Sequence, residues 1–157
     1  MQLHTVATVS IRKPIEQVFD FAVDGANFPR LMQPLPPIPG VAGSELIDSS
    51  ELRTGVKRRV TMTDGSIVME ELLDVTRPYR HCYRWLNKPK FPFSLLVRGA
   101  EARWTFAERG GQTAIEWHYG FELTSLLAYP AARLVALAMR RWMAQALGTL
   151  RDNLDRS

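Results

Sequence analysis

The sequence predicts an α+β domain whose antiparallel sheet curves around one long C-terminal helix. Three observations carry this. Ala102–Ala107 and Thr113–Phe121 alternate apolar and polar residues on either side of Glu108-Arg109-Gly110-Gly111, which reads as a β-hairpin. A single amphipathic stretch then runs from Ser125 to Asp155. Upstream, strands come in runs rather than alternating with helices, which argues against a parallel sheet. A sheet wrapped on a helix is concave, so it can enclose a pocket.

Each element has its own warrant. Thr5–Ile11 alternates with β-branched residues and reads as a strand. Lys13-Pro14 opens a helix, because proline is tolerated in the first turn. Ile15, Val18, Phe19 and Ala22 recur at three- and four-residue spacing and form its apolar face. Asp24 can cap a second short helix that holds Phe28 and Leu31. Gln33–Gly43 carries four prolines and two glycines and reads as an extended loop. Glu45–Ser49 is a short edge strand. Gly55–Thr63 and Ser66–Thr76 are strands joined at Asp64-Gly65, a strong hairpin signal. Tyr79–Leu86 is an aromatic-rich strand between Pro78 and Asn87. Asn87–Leu95 holds two prolines and two phenylalanines, Phe91 and Phe93, which such a broken segment is expected to expose. Leu96–Glu108 and Gln112–Glu122 are the longest strands. In the terminal helix Val135, Met139, Trp142, Met143, Ala146 and Leu150 share one face, with Arg133, Arg141, Gln145, Arg151, Asp152 and Asp155 opposite.

At 157 residues the chain is most simply one domain, residues 1–157. A domain of this size buries roughly 70% of its unfolded surface and needs no metal or disulfide for stability. Cys82 is the single cysteine, so no internal bridge forms. The first ten residues lack a basic region followed by an apolar core, which speaks against a signal peptide. The apolar run Leu134–Met139 is cut by Arg140-Arg141, far short of the roughly 20 residues that span a bilayer. A cytoplasmic location is the expectation. The net charge is +4, but the arginines are scattered. In the tightest cluster, Lys57-Arg58-Arg59, a strand turns Arg58 away from its neighbours. Nucleic-acid binding is therefore not expected, and the basic balance reads as solubility.

The order of elements, with Val9-Ser10-Ile11 followed by Pro14-Ile15-Glu16-Gln17-Val18-Phe19-Asp20-Phe21, resembles the helix-grip superfamily, also called START-like or Bet v 1-like. Asn27-Phe28 within Asp24–Met32, Asp74-Val75-Thr76-Arg77-Pro78, Trp104-Thr105-Phe106 and Thr113-Ala114-Ile115-Glu116-Trp117 extend the likeness over nearly the whole chain. More narrowly the sequence resembles the polyketide cyclase/dehydrase group of small bacterial proteins. The resemblance implies a hydrophobic ligand, aromatic, polyketide-like or lipid-like, held between sheet and terminal helix. No cofactor is expected. Fold alone does not assign chemistry, because function lives in the site.

Strand parity sorts the candidates for that site. On Ser66–Thr76 the apolar residues Ile67, Met69, Leu73 and Val75 share parity with Glu71, which the pattern turns inward. An inward carboxylate is costly unless solvated or paired, so Glu71 is a candidate general base or anchor. On Leu96–Glu108, Arg98 shares parity with Ala100, Ala102, Trp104 and Phe106. Arg98 can thus reach an anionic or carbonyl group, or pair with Glu71. Ala100 and Ala102 are small and leave room on a concave face. Trp117 and Tyr119 point one way on Gln112–Glu122, and Tyr119 offers a hydroxyl. His81 shares parity with Tyr79, Tyr83 and Trp85 and is a candidate acid or base. Val135, Met139, Trp142 and Met143 supply the helix wall. His4, His81 and His118 show no ligand spacing, so no metal site is expected. Leu35, Ile38, Phe91 and Phe93 are candidates for a lid.

Three functions follow as expectations: a binder of a small hydrophobic ligand, a cyclase/dehydratase using Glu71, Tyr119 or His81 for proton transfer, or a protein-interaction module like the coenzyme Q-binding relatives. A monomer or a homodimer fits each. Polar groups converging inside the pocket favour the enzyme, a dry pocket the carrier, and a filled core the interaction module.

Overall fold

Seven antiparallel strands form one sheet in the order β1-β7-β6-β5-β4-β3-β2. The structure is a computed structural model and describes residues 1–157. The strands are β1 (Gln2–Ile11), β2 (Val41–Ile47), β3 (Lys57–Met62), β4 (Ile67–Thr76), β5 (Arg80–Trp85), β6 (Val97–Arg109) and β7 (Gln112–Leu123). Strands β2 to β7 follow one another as a meander, and β1 closes onto β7. The two strands at the edges are thus consecutive in the chain. Helices α1 (Ile15–Val23) and α2 (Phe28–Leu31), separated by a 3-10 turn at Gly25–Asn27, bridge them. Helix α1 lies against β6 and β7, and α2 lies against β2 and α3.

Helix α3 (Tyr129–Asp155) fills the concave side. Pro130 stands in its first turn, where its missing N–H is not needed. Met139, Trp142, Met143, Ala146, Leu147 and Leu150 bury the stripe that the 3.6-residue period predicts. Leu150 and Leu147 are at most 1% exposed, so truncating either to Ala costs ~2–5 kcal/mol. Opposite them Trp117, Ile115 and Phe106 line up on the inner faces of β7 and β6. No helix is long and apolar enough to cross a membrane.

Three local features alter which residues face inward. The β3–β4 connection is one residue longer than a two-residue Asp64-Gly65 turn. Met62 N–H donates to Ser66 C=O, and Val60 pairs with Val68. Gly65 takes a left-handed φ of 86°, the geometry of a three-residue hairpin. A two-residue turn would have set Arg58 opposite Glu71; the extra residue sets it opposite Glu70. A bulge between Leu72 and Asp74 then breaks the alternation of β4. Another between Val97 and Gly99 does the same at the start of β6. In addition β2 starts at Val41, inside the expected loop, because Val41 pairs with Met62 and is buried.

Candidate functional site

The concave side holds a partly open cavity of about 310 Å³ between β3–β7, α2 and α3. Small-molecule sites span roughly 300–1,000 Å³. Of its 31 lining residues 21 are hydrophobic, so most of any occupant must be apolar. A second depression, of about 660 Å³, lies between β1 and α3. It is more open and only half of its 12 lining residues are hydrophobic, so the first cavity is the better candidate.

One wall of the cavity is polar, and its centre is an ion pair. Arg58 on β3 and Glu70 on β4 face each other across the register and are both buried. Arg58 Nε and Nη2 both donate to Glu70 Oε1, at 2.9 and 2.8 Å. Arg58 Nη1 lies 3.3 Å from His81 Nε2 on β5. The guanidinium can only donate, so Nε2 is the acceptor and the imidazole proton sits on Nδ1. The guanidinium also stacks over the rings of Phe28 and Tyr83, at 5.3 and 5.0 Å from their centroids. Next along the wall, the Tyr83 and Tyr119 hydroxyls are 3.2 Å apart.

Burial sets the protonation of this wall. It pushes the Glu70 carboxyl up, against the pull of Arg58. We read the pair as ionised, since the guanidinium stays charged and aims two donors at one oxygen. Burial first, and the Arg58 charge second, hold His81 well below its ordinary 6.5. His81 is therefore neutral near pH 7. Burial also pushes the Tyr83 hydroxyl up to about 12 and raises Tyr119 well above its ordinary value, so both remain donors. The wall offers an Arg58–Glu70 ion pair, two hydroxyls and a neutral imidazole to a chamber whose lining is mostly apolar.

The predicted site residues divide into three groups. Trp104, Trp117, Tyr119, Val135, Met139, Trp142 and His81 line the cavity, as do Ile38, Phe91 and Phe93. Ala100, Ala102 and Met143 are buried in the core beside it, and Met69 and Leu35 are partly buried; none of these five lines it. Leu35 instead bridges to Ile38 through paired backbone hydrogen bonds.

Glu71 and Arg98 do not face inward. Glu71 pairs with Arg84 at 2.7 Å on the convex side, and Arg98 pairs with Glu122 at 2.8 Å. They do not meet each other. The inner face of β4 belongs to Val68, Glu70 and Leu72, while Ile67 and Leu73 are exposed. Val75 packs against the core because the Leu72–Asp74 bulge shifts parity behind it. The bulge at Val97–Gly99 likewise turns Val97 inward and Arg98 out. The missed residues are Arg58 and Glu70. Their signal was present: Val56 and Val60 flank Arg58 at the same parity, as Val68 and Leu72 flank Glu70.

No group of three or more His, Cys, Asp or Glu side chains is placed to hold a metal ion. Residues 2–156 match the family model described as polyketide cyclase / dehydrase and lipid transport. The chain belongs to this family. Among curated proteins none is similar enough in sequence to match. Solved structures share the fold. The di-domain ARO/CYC protein BexL, from the BE-7585A biosynthetic pathway, superposes with a TM-score of 0.74 at 21% identity. The match covers 98% of this chain and 50% of BexL, so the chain spans about half the length of that protein. The Zhui aromatase/cyclase from Streptomyces matches at TM-score 0.74 and 15% identity, over 99% of this chain and 95% of its own. Major latex-like protein 151 from Panax ginseng matches at TM-score 0.66 and 9% identity, over 98% and 97% of the two chains. At these identities the likeness speaks for the fold, and the site must be read from its own residues.

Proposed function

We propose that the protein binds a small, mostly apolar, oxygen-bearing ligand in the concave-side cavity, with a carbonyl or hydroxyl oxygen directed at the Arg58–His81–Tyr83 wall. The observation that carries this is the buried Arg58–Glu70 pair opening onto a chamber that is otherwise largely apolar. A buried charge of this kind is a poor stabiliser of a fold compared with apolar packing. It is well suited to fixing the orientation of a ligand. Membership of the polyketide cyclase/dehydrase family supports an aromatic or polyketide-like skeleton. The ring-lined chamber of Trp104, Trp117 and Phe121 supports the same class. Ile38, Phe91 and Phe93 cover the mouth in this reading. The test compares 1-acetylnaphthalene with 1-ethylnaphthalene by tryptophan quenching. The ketone should bind at least tenfold more tightly, and equal affinity would contradict a polar pole.

A cyclase-type proton transfer is a second reading, favoured by the neutral His81 held beside Arg58. A ligand carbonyl that accepts from Arg58 Nη1 frees the His81 Nε2 lone pair. That lone pair can then take a proton from the carbon next to the carbonyl, while Arg58 stabilises the enolate oxygen. Glu70 holds the guanidinium in place. Deuterium exchange into a cyclic 1,3-diketone, followed by NMR, tests it. The protein should accelerate exchange and His81→Phe should abolish the acceleration; no acceleration by the wild type would leave binding alone.

A further inference from the structure

The sheet ends in two edge strands, and the fold protects only one of them. Edge strand β2 is bulged between Val41 and Gly43, carries Glu45 and lies against α2. A bulge, a charge and a covering helix are the usual guards of a sheet edge against a further strand. Edge strand β1 is built otherwise. Its ten residues, Gln2–Ile11, contain no aspartate, glutamate, lysine, arginine or proline, and they pair with β7 without a bulge. β1 pairs only with β7, and no backbone hydrogen bond of a turn, loop or cap reaches Leu3–Thr8. Every second residue of this stretch therefore turns its N–H and C=O away from the sheet with no main-chain partner.

The depression between β1 and α3 runs along this edge. Six consecutive residues of β1, Leu3–Thr8, line it. One face of a strand would contribute only alternate residues, so the wall is the strand edge itself. The opposite wall is a stripe of α3 that includes Arg133, Leu137 and Arg140, with Ala136 and Ala144 leaving room beside them. Both walls are elongated: six strand residues span about 20 Å, and the stripe from Arg133 to Ala144 about 16 Å. A long groove beside an unpaired strand edge suits an extended chain better than a compact molecule. Its charge has one sign. Arg133 and Arg140 are exposed and neither forms an ion pair. The other ionisable residues lining the groove are His4 and His118, whose ring nitrogens lie 3.1 Å apart, and no carboxylate lines it. Leu137, between the two arginines on the stripe, is 52% exposed.

We propose that β1 and α3 form a docking groove for an acidic peptide segment of a partner protein, which adds to the β1 edge as an eighth strand and sets its carboxylates on Arg133 and Arg140. Strand addition supplies the main-chain hydrogen bonds, and the α3 stripe supplies the selectivity. The two arginines stand about 10 Å apart along the helix, between the spacings of every second and every fourth residue of a strand. A segment that presents acid, aliphatic and acid in turn on one face therefore meets Arg133, Leu137 and Arg140. A second copy of this chain fits less well, because its β1 brings no carboxylate to the arginines. The groove shares no lining residue with the concave-side cavity, so this docking is independent of what the cavity binds.

Amide NMR of the nitrogen-15-labelled protein tests the docking with two peptides. Acetyl-TETVTET-amide carries the acid–aliphatic–acid face, and acetyl-TKTVTKT-amide replaces both acids with lysine. The acidic peptide should shift the Leu3–Thr8 amides and bind at least about tenfold more tightly than the basic one. At saturation alternate amides of β1 should exchange with deuterium at least about tenfold more slowly, because the added strand satisfies them. Arg133→Gln/Arg140→Gln should weaken the acidic peptide about tenfold, with the amide spectrum outside the groove unchanged, which shows that the fold is intact. Absence of shifts at β1, or equal affinity for the two peptides, would overturn the proposal. So would binding that leaves β1 exchange as fast as before, which would mark a surface charge contact without strand addition. A dimer in analytical ultracentrifugation, with β1 exchange that slows as protein concentration rises and no response to peptide, would assign the edge to a second copy instead.

Discussion

Glu70 and Glu71 are neighbours on β4 and could hardly differ more in circumstance. Glu71 sits on the convex face beside Arg84, with its side chain 26% exposed. Glu70 is on the concave face, buried, with two Arg58 donors on a single oxygen. The outer pair is one of several on that surface, and exposed pairs of this type contribute ~0–1 kcal/mol. The inner pair has lost its hydration and depends on its partner for compensation. Identical side chains become a surface ion pair and the pole of a cavity through one residue of hairpin register. Which face a charge occupies, and not its presence in the strand, decides whether it can meet a ligand.

The comparison can be broken most forcefully at its inner member. Glu70→Gln leaves Arg58 charged, buried and without its counter-ion, and should cost ~3–5 kcal/mol in urea unfolding. Arg58→Met together with Glu70→Leu removes both charges and should be much closer to wild type. Additive single and double effects would show that the two groups do not act as a pair.

A smaller effect comes from His81. Its folded value is held well below 6.5, while the unfolded chain titrates near 6.5. Below about pH 6.5 the unfolded state gains a proton that the folded state refuses, so stability falls as the pH is lowered. One such group gives a slope approaching ~1.4 kcal/mol per pH unit. Glu70, raised above 4.5, acts in the opposite sense on further acidification, and the partly buried His118, also lowered, acts in the same sense as His81. The difference between wild type and His81→Phe isolates the slope. Parallel stability curves for the two proteins between pH 7 and pH 5 would mean that His81 titrates normally.

The smallest effects belong to the convex face. Glu71→Gln and Arg98→Gln should each change stability by less than ~1 kcal/mol and leave ligand affinity untouched. A loss of affinity in either would return these residues to the site.

The difference between the two faces also explains what the sequence made legible. The β6–β7 hairpin was readable because its inner face is apolar without interruption, from Trp104 and Phe106 to Ile115, Trp117 and Phe121. Helix α3 was readable for the same reason, as its buried stripe keeps the helical period. On β4 the logic fails, because the inner face carries a charge. Ile67, Met69 and Leu73 make the outer parity look like the core, and Glu71 was carried inward with them. Arg98 was misplaced by a bulge, which leaves no mark on alternation other than Gly99 itself. Of the cavity wall, His81, Trp117, Tyr119, Met139 and Trp142 were within reach of parity. The Arg58–Glu70 pair needed the register of the Thr63–Gly65 turn, which propensity alone does not fix.

The central claim is that the inner ion pair serves a ligand and does not merely tolerate burial. The most direct measurement is the affinity ratio of 1-acetylnaphthalene to 1-ethylnaphthalene in wild type and in the Arg58→Met/Glu70→Leu variant, with thermal melts to confirm that both are folded. The account predicts at least a tenfold preference for the ketone in the wild type and none in the variant, with the hydrocarbon bound equally by both. A ratio that is the same in the two proteins would contradict it.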